Sequence, residues 1–326
     1  MVNPSAIRVE ACSLCQLHCP LCPASRGETD AVIGRGRLRF ADFERLIRRN
    51  PQILAVELAN FGEVFLNPDL PRILAFAHER GVATSIDEGA NLNDASTEAL
   101  EALVKYQVAQ VRCAVDGVTR SSYRQYRAGG DLAKVLANIQ EINRFKERYR
   151  SSRPRLVLQF VVFAHNEEEI ERAALMARVL RMELQLKLNF FPDSLPVKNR
   201  ERVKKHLGYA DRNEYLEKAR RHYSRHQCHE MWIWPQVNWD GRILGCSRNI
   251  WGAYPGNAFS ADLVEGLNSS AMESARAVLM GLRPLDPDMP CARCSVYRSL
   301  ADHGDWITPD EIAQAADALD SLYAPR

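Results

Sequence analysis

The chain has 326 residues, enough for one large α/β domain and a smaller appendage. Its 46% hydrophobic and 26% charged residues are those of an ordinary globular protein, and a net charge of +2 gives nucleic acid or an anionic membrane no role as main partner. No run of about 18 apolar residues occurs and no apolar segment follows the first residues, so a cytoplasmic protein without a membrane span is expected.

Residues 7–11 alternate apolar and polar side chains and read as a first strand. That strand delivers Cys12, Cys15, Cys19 and Cys22 on one short loop. Residues 40–49 put Phe40, Phe43, Leu46 and Ile47 on one helical face, and Asn50-Pro51 ends the helix. Residues 53–59 form a second strand that runs into Asn60-Phe61-Gly62-Glu63, and 71–80 a helix stopped by Gly81. A third strand over 82–86 and a helix over 95–106 follow. The fourth strand spans 108–115 and ends at Asp116-Gly117. A helix over 131–149, a fifth strand over 155–163, a helix over 167–180 and a sixth strand over 184–191 complete the series. This alternation implies βαβ units on a parallel sheet, and six units suit an open, partial (β/α)6 barrel rather than the full eight.

After Pro192 the rhythm changes. Residues 195–226 are rich in Lys and Arg and read as a connecting helical segment with a solvated face. Two extended runs, Trp232 to Asn238 and Arg242 to Cys246, meet across Asp240-Gly241 as a hairpin. Cys228 precedes the hairpin, Cys246 closes it, and a helix over 269–280 separates it from Cys291-x-x-Cys294. The expected division is a barrel over 1–195, a helical connector over 196–227, and a small C-terminal domain with a final helix over 228–326.

Eight of the nine cysteines thus fall into two groups, leaving Cys113 alone. In a reducing compartment such grouping points to metal ligation rather than disulfides. Three thiolates spaced Cys15-x3-Cys19-x2-Cys22 can hold three irons of a four-iron cluster and leave the fourth open. Zinc is the rival, with Cys12 as a fourth ligand, and it would also use the later four cysteines well. A catalytic disulfide fits less well, because an extra cysteine precedes the C-x-x-C pair. Spacing alone leaves iron–sulfur and zinc both open.

Further motifs carry a resemblance. Cys15-x3-Cys19-x2-Cys22 after a first strand resembles the signature of the radical S-adenosylmethionine (SAM) enzymes. Gly62-Glu63 resembles their Gly-Gly-Glu motif for the SAM amino group, with Phe61 where the first glycine is usual. Ala114-Val-Asp116-Gly117 resembles the Ser-Leu-Asp-Gly motif, with Ala114 in place of the serine, and Arg127 matches an arginine that holds the SAM carboxylate. His165 to Ile170 is similar to an Asn-x-x-Glu-Ile stretch after the fifth strand, and Leu21 stands where an aromatic residue is usual. Cys228, Gly241, Cys246 and the Gly256-Asn-Ala-Phe259 turn resemble the SPASM/Twitch extensions of that superfamily. A full SPASM domain uses seven cysteines; Cys228, Cys246, Cys291 and Cys294 allow one auxiliary [4Fe-4S] cluster, as in the Twitch form.

The resemblance implies a SAM-binding [4Fe-4S] cluster on Cys15, Cys19 and Cys22, with SAM held by Gly62, Glu63, Asp116 and Arg127. It implies reductive SAM cleavage to a 5′-deoxyadenosyl radical, hydrogen abstraction from a substrate, and a flavodoxin- or ferredoxin-type electron donor. A fully ligated auxiliary cluster suits taking an electron, hence a net oxidation: dehydrogenation of a small alcohol or amine such as a sugar or aminocyclitol. Epimerisation or oxidative cross-linking of a peptide is the second class, and a non-catalytic zinc-bound scaffold the third. Epimerisation needs a thiol hydrogen donor; Cys113 is expected to face the outer helices, which leaves Cys12 as the better candidate. The barrel begins almost at the first residue, leaving no room for a leader-binding domain and favouring a small molecule over a peptide. His18, Asn60, Asp87, Gln159 and Asn189 fall near predicted strand ends, where a barrel's pocket opens.

Overall fold

The structure, a computed structural model, describes residues 1–323. Its first six strands are β1 (Ala6–Val9), β2 (Ala55–Glu57), β3 (Ala83–Ala90), β4 (Gln110–Ala114), β5 (Arg155–Val162) and β6 (Glu183–Leu188). They alternate with α1 (Phe40–Arg49), α2 (Leu70–Glu79), α3 (Thr97–Lys105), α4 (Arg120–Tyr126), α5 (Leu132–Tyr149) and α6 (Ile170–Val179). The helices α7 (Arg200–Leu207), α8 (Arg212–Ala219) and α9 (Glu230–Ile233) lead into β7 (Gln236–Val237), β8 (Arg242–Gly245) and β9 (Tyr254–Asn257). The chain continues through α10 (Leu263–Leu267), α11 (Ser270–Leu279), α12 (Ser295–His303) and α13 (Pro309–Tyr323).

The six parallel strands lie in the order β6-β5-β4-β3-β2-β1, the partial barrel expected from the alternation. The hairpin strands join the same sheet. β7 pairs in parallel with β1, Arg8 opposite Gln236 and Val9 opposite Val237, and β8 and β9 follow antiparallel. The outer face of the barrel packs Ile7, Val9, Val56, Leu58, Val111, Leu158 and Phe160 against Phe43, Leu46, Leu74, Leu103 and Ile142 of the helices. Each such fully buried side chain contributes about 1.5–3 kcal/mol by leaving water. At the strands' N-terminal end, Leu319 of α13 packs on Ala6 and Ala55, and the Tyr323 hydroxyl lies 2.7 Å from Ser85 Oγ.

The inner face is polar, which explains the largest departure from the expected strands. β3 runs to Ala90 although the apolar pattern ends at Ile86. Its continuation, Asp87-Glu88-Gly89, pairs inward: Asp87 with Arg112 and Glu88 with Arg8. Gly89 at φ +105° accompanies a register shift between Ile86 and Ala90. Helix α4 was not expected; its seven residues are too few for periodicity, and it rests on a reciprocal cap between Thr119 and Ser122. The connector forms two helices, α7 ending at Gly208 with φ +77°. Among the described residues, no helix is long and apolar enough to cross a membrane.

Candidate metal centres

The three-cysteine loop leaves β1 at the C-terminal end of the strands and is tied down on both sides. Ser13 N–H donates to the Gly36 carbonyl at 3.0 Å, and His18 N–H to the Ala128 carbonyl at 2.8 Å. Three successive strand ends then close on it. From β2, Glu63 N–H donates to the Leu14 carbonyl at 2.8 Å. From β3, Asn91 Nδ2 donates to Cys15 Sγ at 3.7 Å, and its backbone N–H donates to Glu63 Oε2 at 2.6 Å. From β4, Asp116 Oδ2 accepts Arg127 Nε at 2.7 Å, which aims Arg127 Nη1 at Cys19 Sγ, 3.9 Å away. Asp116 is fully buried, and its other oxygen accepts Val161 N–H at 2.8 Å.

Gly62 and Glu63 show why that pair of residue types stands there. A Cβ on Gly62 would lie 2.1 Å from the Cys12 carbonyl oxygen and 2.5 Å from Ser13 C, so only glycine lets the β2 loop touch the cysteine loop. Glu10 holds the approach from below, accepting Phe61 N–H at 2.8 Å and Gly62 N–H at 3.3 Å. Burial pushes the carboxyls of Glu10 and Glu63 up to about 7. Glu10 and Asn91 were not singled out from sequence. Glu10 reads as one polar position of an alternating strand, and Asn91 lies beyond the expected end of the third strand.

Burial pushes the Cys15 thiol up to about 12, with Cys19 and Cys22 adding to the shift, and burial pushes the Cys19 thiol up as well. Cys12 is fully buried, its Sγ 3.7 Å from the Leu14 carbonyl, and is raised to about 11. Cys113 lies in the core between sheet and helices. His18 is exposed, and Asn189 closes its own turn through the Phe191 and Ser194 carbonyls. Asp87 is engaged by Arg112, and Gln159 lies on the inner wall beside Gly89 and Ala114. Asn60 reaches the second cysteine group, donating to the Ser247 carbonyl at 2.9 Å.

That second group is brought together by the extension of the sheet. Cys228 sits on a short turn (Arg225–His229) before α9, Cys246 just after β8, Cys291 on a turn (Pro290–Arg293), and Cys294 at the start of α12. All four line one small apolar cavity with Met231, Tyr254 and Leu279. The turn at Gly241, φ +88°, is locked by Asn257, whose Nδ2 donates to the Asp240 carbonyl at 2.9 Å. Gly245, φ +81°, leaves room for Met231, whose sulfur a Cβ would approach to 2.6 Å. Burial and the neighbouring thiols push Cys228 and Cys246 well up. Among the described residues, no three His, Cys, Asp or Glu side chains converge as donors to one metal ion. The four later thiols lie near enough to act on one another, a soft all-thiolate donor set of the kind used by both iron–sulfur clusters and zinc.

No protein-family model matches the chain, and no curated protein is similar to it in sequence. Solved structures do match. The crystal structure of Streptococcus suis SuiB superposes with a TM-score of 0.64 at 14% identity, over 91% of this chain and 72% of that one. Native anSMEcpe with bound AdoMet matches with a TM-score of 0.57 at 12% identity, over 96% and 99%. BtrN in complex with AdoMet and 2-DOIA gives 0.50 at 15% identity, over 90% and 93%. The likeness spans both the parallel strands and the extension that carries the second cysteine group. The chain has the fold of the radical SAM enzymes.

Proposed function

We propose that this chain is a radical SAM enzyme that oxidises a small molecule, with a second [4Fe-4S] cluster as electron acceptor. Cys15, Cys19 and Cys22 hold the first cluster, and Cys228, Cys246, Cys291 and Cys294 hold the second. One observation carries the reading: three strand ends converge on a three-thiol loop while four further thiols line one cavity on the same sheet. When bound, the first cluster with SAM supplies a 5′-deoxyadenosyl radical, and the second supplies an acceptor for the electron that the substrate radical gives up.

The protein's part is to bind, orient and exclude water. Arg127 offers a planar fork suited to the SAM carboxylate, and Asp116 fixes its direction. Glu63, buried and raised to about 7, faces an ammonium group best as a carboxylate, so amine binding draws its proton away. Asn91 and Arg127 place N–H groups on Cys15 and Cys19, which favours the reduced, more negative cluster. Removal of a hydrogen atom from the carbon bearing the hydroxyl or amine, then of one electron and of the O–H or N–H proton, leaves a carbonyl or imine. Cys12 and Cys113 are both fully buried, which supports this oxidation over a redox-neutral epimerisation. The reducing electron comes from a flavodoxin- or ferredoxin-type donor.

Anaerobically reconstituted protein should hold about eight irons with matching sulfide, and should release 5′-deoxyadenosine from SAM under reduction. A Cys15/Cys19/Cys22 triple Ala variant should keep about four irons and lose SAM cleavage. Zinc without visible-range absorbance would overturn the assignment. Cys12→Ala should leave any product unchanged; loss of product with SAM cleavage retained would move the reaction to the epimerase class.

A further inference from the structure

Between the C-terminal end of β6 and the second cysteine group, Lys187, Arg212 and Arg248 lie in turn close enough for their charges to act on one another, with Arg212 bonded to the strand at the residue after Lys187. Arg212 is buried, its guanidinium stacked 3.8 Å over Phe190 and 4.5 Å over Tyr223. Its hydrogen bonds go to neutral groups, the Leu188 carbonyl at 3.2 Å and Ser224 Oγ at 3.0 Å. Arg248 borders the cysteine cavity, and its Nε is buried with no partner. Lys187, on β6, projects into the same field. Among the described residues, none of Lys187, Arg212 and Arg248 forms an ion pair. The acids that act on Lys187 are shared with closer cations: Glu88 pairs with Arg8 at 2.8 Å, and Asp87 with Arg112 at 3.0 Å.

The electrostatic consequences agree. Burial and the charges of Arg248, Arg212 and His226 press His222 down to about 4. Burial and Arg248 press Arg212 down to about 10, with only Tyr223 acting the other way. Buried cations without counter-charges are costly, and persist where an anion completes them. Deeper in the barrel, further polar atoms are buried without hydrogen-bond partners: Nη1 of Arg8, Nε of Arg112, and the amide oxygens of Gln159 and Gln185. Gln159 and Gln185 stand opposite each other on β5 and β6. Donors and acceptors together at this depth match hydroxyl groups, which do both.

We infer that Lys187, Arg212 and Arg248 mark a chamber that binds a hydroxylated small molecule carrying a carboxylate or phosphate, its anionic group held by these three cations and its hydroxyls by the inner wall. This rests on the proposed function only for the statement that the bound molecule is the substrate. It narrows the small alcohol or amine of that reading to one that also carries an anionic group.

Calorimetry on the reconstituted holoprotein with SAM tests this with four probes: D-gluconate, glucose 6-phosphate, glucose and glucosamine. Saturable binding of gluconate or glucose 6-phosphate, with neither glucose nor glucosamine binding, is expected, and which anion binds distinguishes carboxylate from phosphate. Arg248→Gln and Lys187→Gln, checked for full iron content, should each weaken the anion about tenfold, the loss of one charged hydrogen bond. Glucosamine binding as tightly as the anions, no anion binding, or anion binding untouched by both substitutions would overturn the inference. SAM cleavage is scored separately: cleavage without anion binding sinks this inference alone, and anion binding without cleavage sinks the proposed function alone.

Discussion

Gly62 offers the sharpest test of how the cysteine loop is held. In Gly62→Ala the new Cβ starts 2.1 Å from the Cys12 carbonyl oxygen, 2.5 Å from Ser13 C and 2.7 Å from Ser13 Cα. To reach even 3.0 Å from that oxygen, the two backbones must part by about 0.9 Å. Neither side is free to yield. The β2 loop is held by Glu10 through two N–H groups and by Glu63 N–H on the Leu14 carbonyl, and the cysteine loop by Ser13 on Gly36. Parting them loses two or three hydrogen bonds at about 1 kcal/mol each, and any residual overlap adds to this, so about 2–4 kcal/mol is expected. For a chain of this size that lowers the melting midpoint by about 3–6 °C, measured anaerobically on holoprotein. The variant should also lose about four irons and keep the other four, because Gly62 touches the first loop and not the second cavity. A midpoint within about 1 °C of the parent, with full iron, would refute the steric reading of this glycine.

Three other outcomes follow from the same geometry. Asp116→Asn leaves buried Arg127 without its counter-charge and should cost about 3–5 kcal/mol, with SAM affinity falling in parallel; a calorimetric SAM titration with unchanged affinity would contradict the role given to the pair. Asn91→Ala removes the Nδ2 donor to Cys15 Sγ but spares the backbone bond to Glu63, and should lower the first cluster's midpoint potential by about 40 mV, read by redox titration with paramagnetic resonance. Glu10, raised by burial from 4.5 to about 7, contributes stability that is complete below about pH 4.5 and is lost as the pH rises through about 7. Glu10→Gln should therefore flatten the fall in melting midpoint between about pH 5 and pH 8, and equal slopes in the two proteins would exclude Glu10 as its source.

Which features the sequence reveals follows from how far apart in the chain their parts lie. The three-cysteine loop is legible because its donors sit within eight residues, where spacing alone limits the geometry. The strand–helix alternation is legible because the outer face of each strand is apolar and buried against helices. Gly62 stands out by motif, although its reason is a contact with Cys12 and Ser13 some fifty residues away. The end of β3 misleads, because a strand facing a polar interior stops looking like a strand once Asp87 and Glu88 turn inward.

By itself, then, the sequence determined the parallel barrel, the three-thiol loop and the existence of a second set of cysteines. Tertiary structure decided where that second set sits. The parallel pairing of β7 with β1 carries the hairpin onto the barrel's own sheet and gathers Cys228, Cys246, Cys291 and Cys294 around one cavity. The same pairing sets Arg248 near enough to Arg212 and His222 for its charge to act on both, a cationic group assembled from three separate segments. Local periodicity holds no record of such a group, because charge adds up in space and not along the chain.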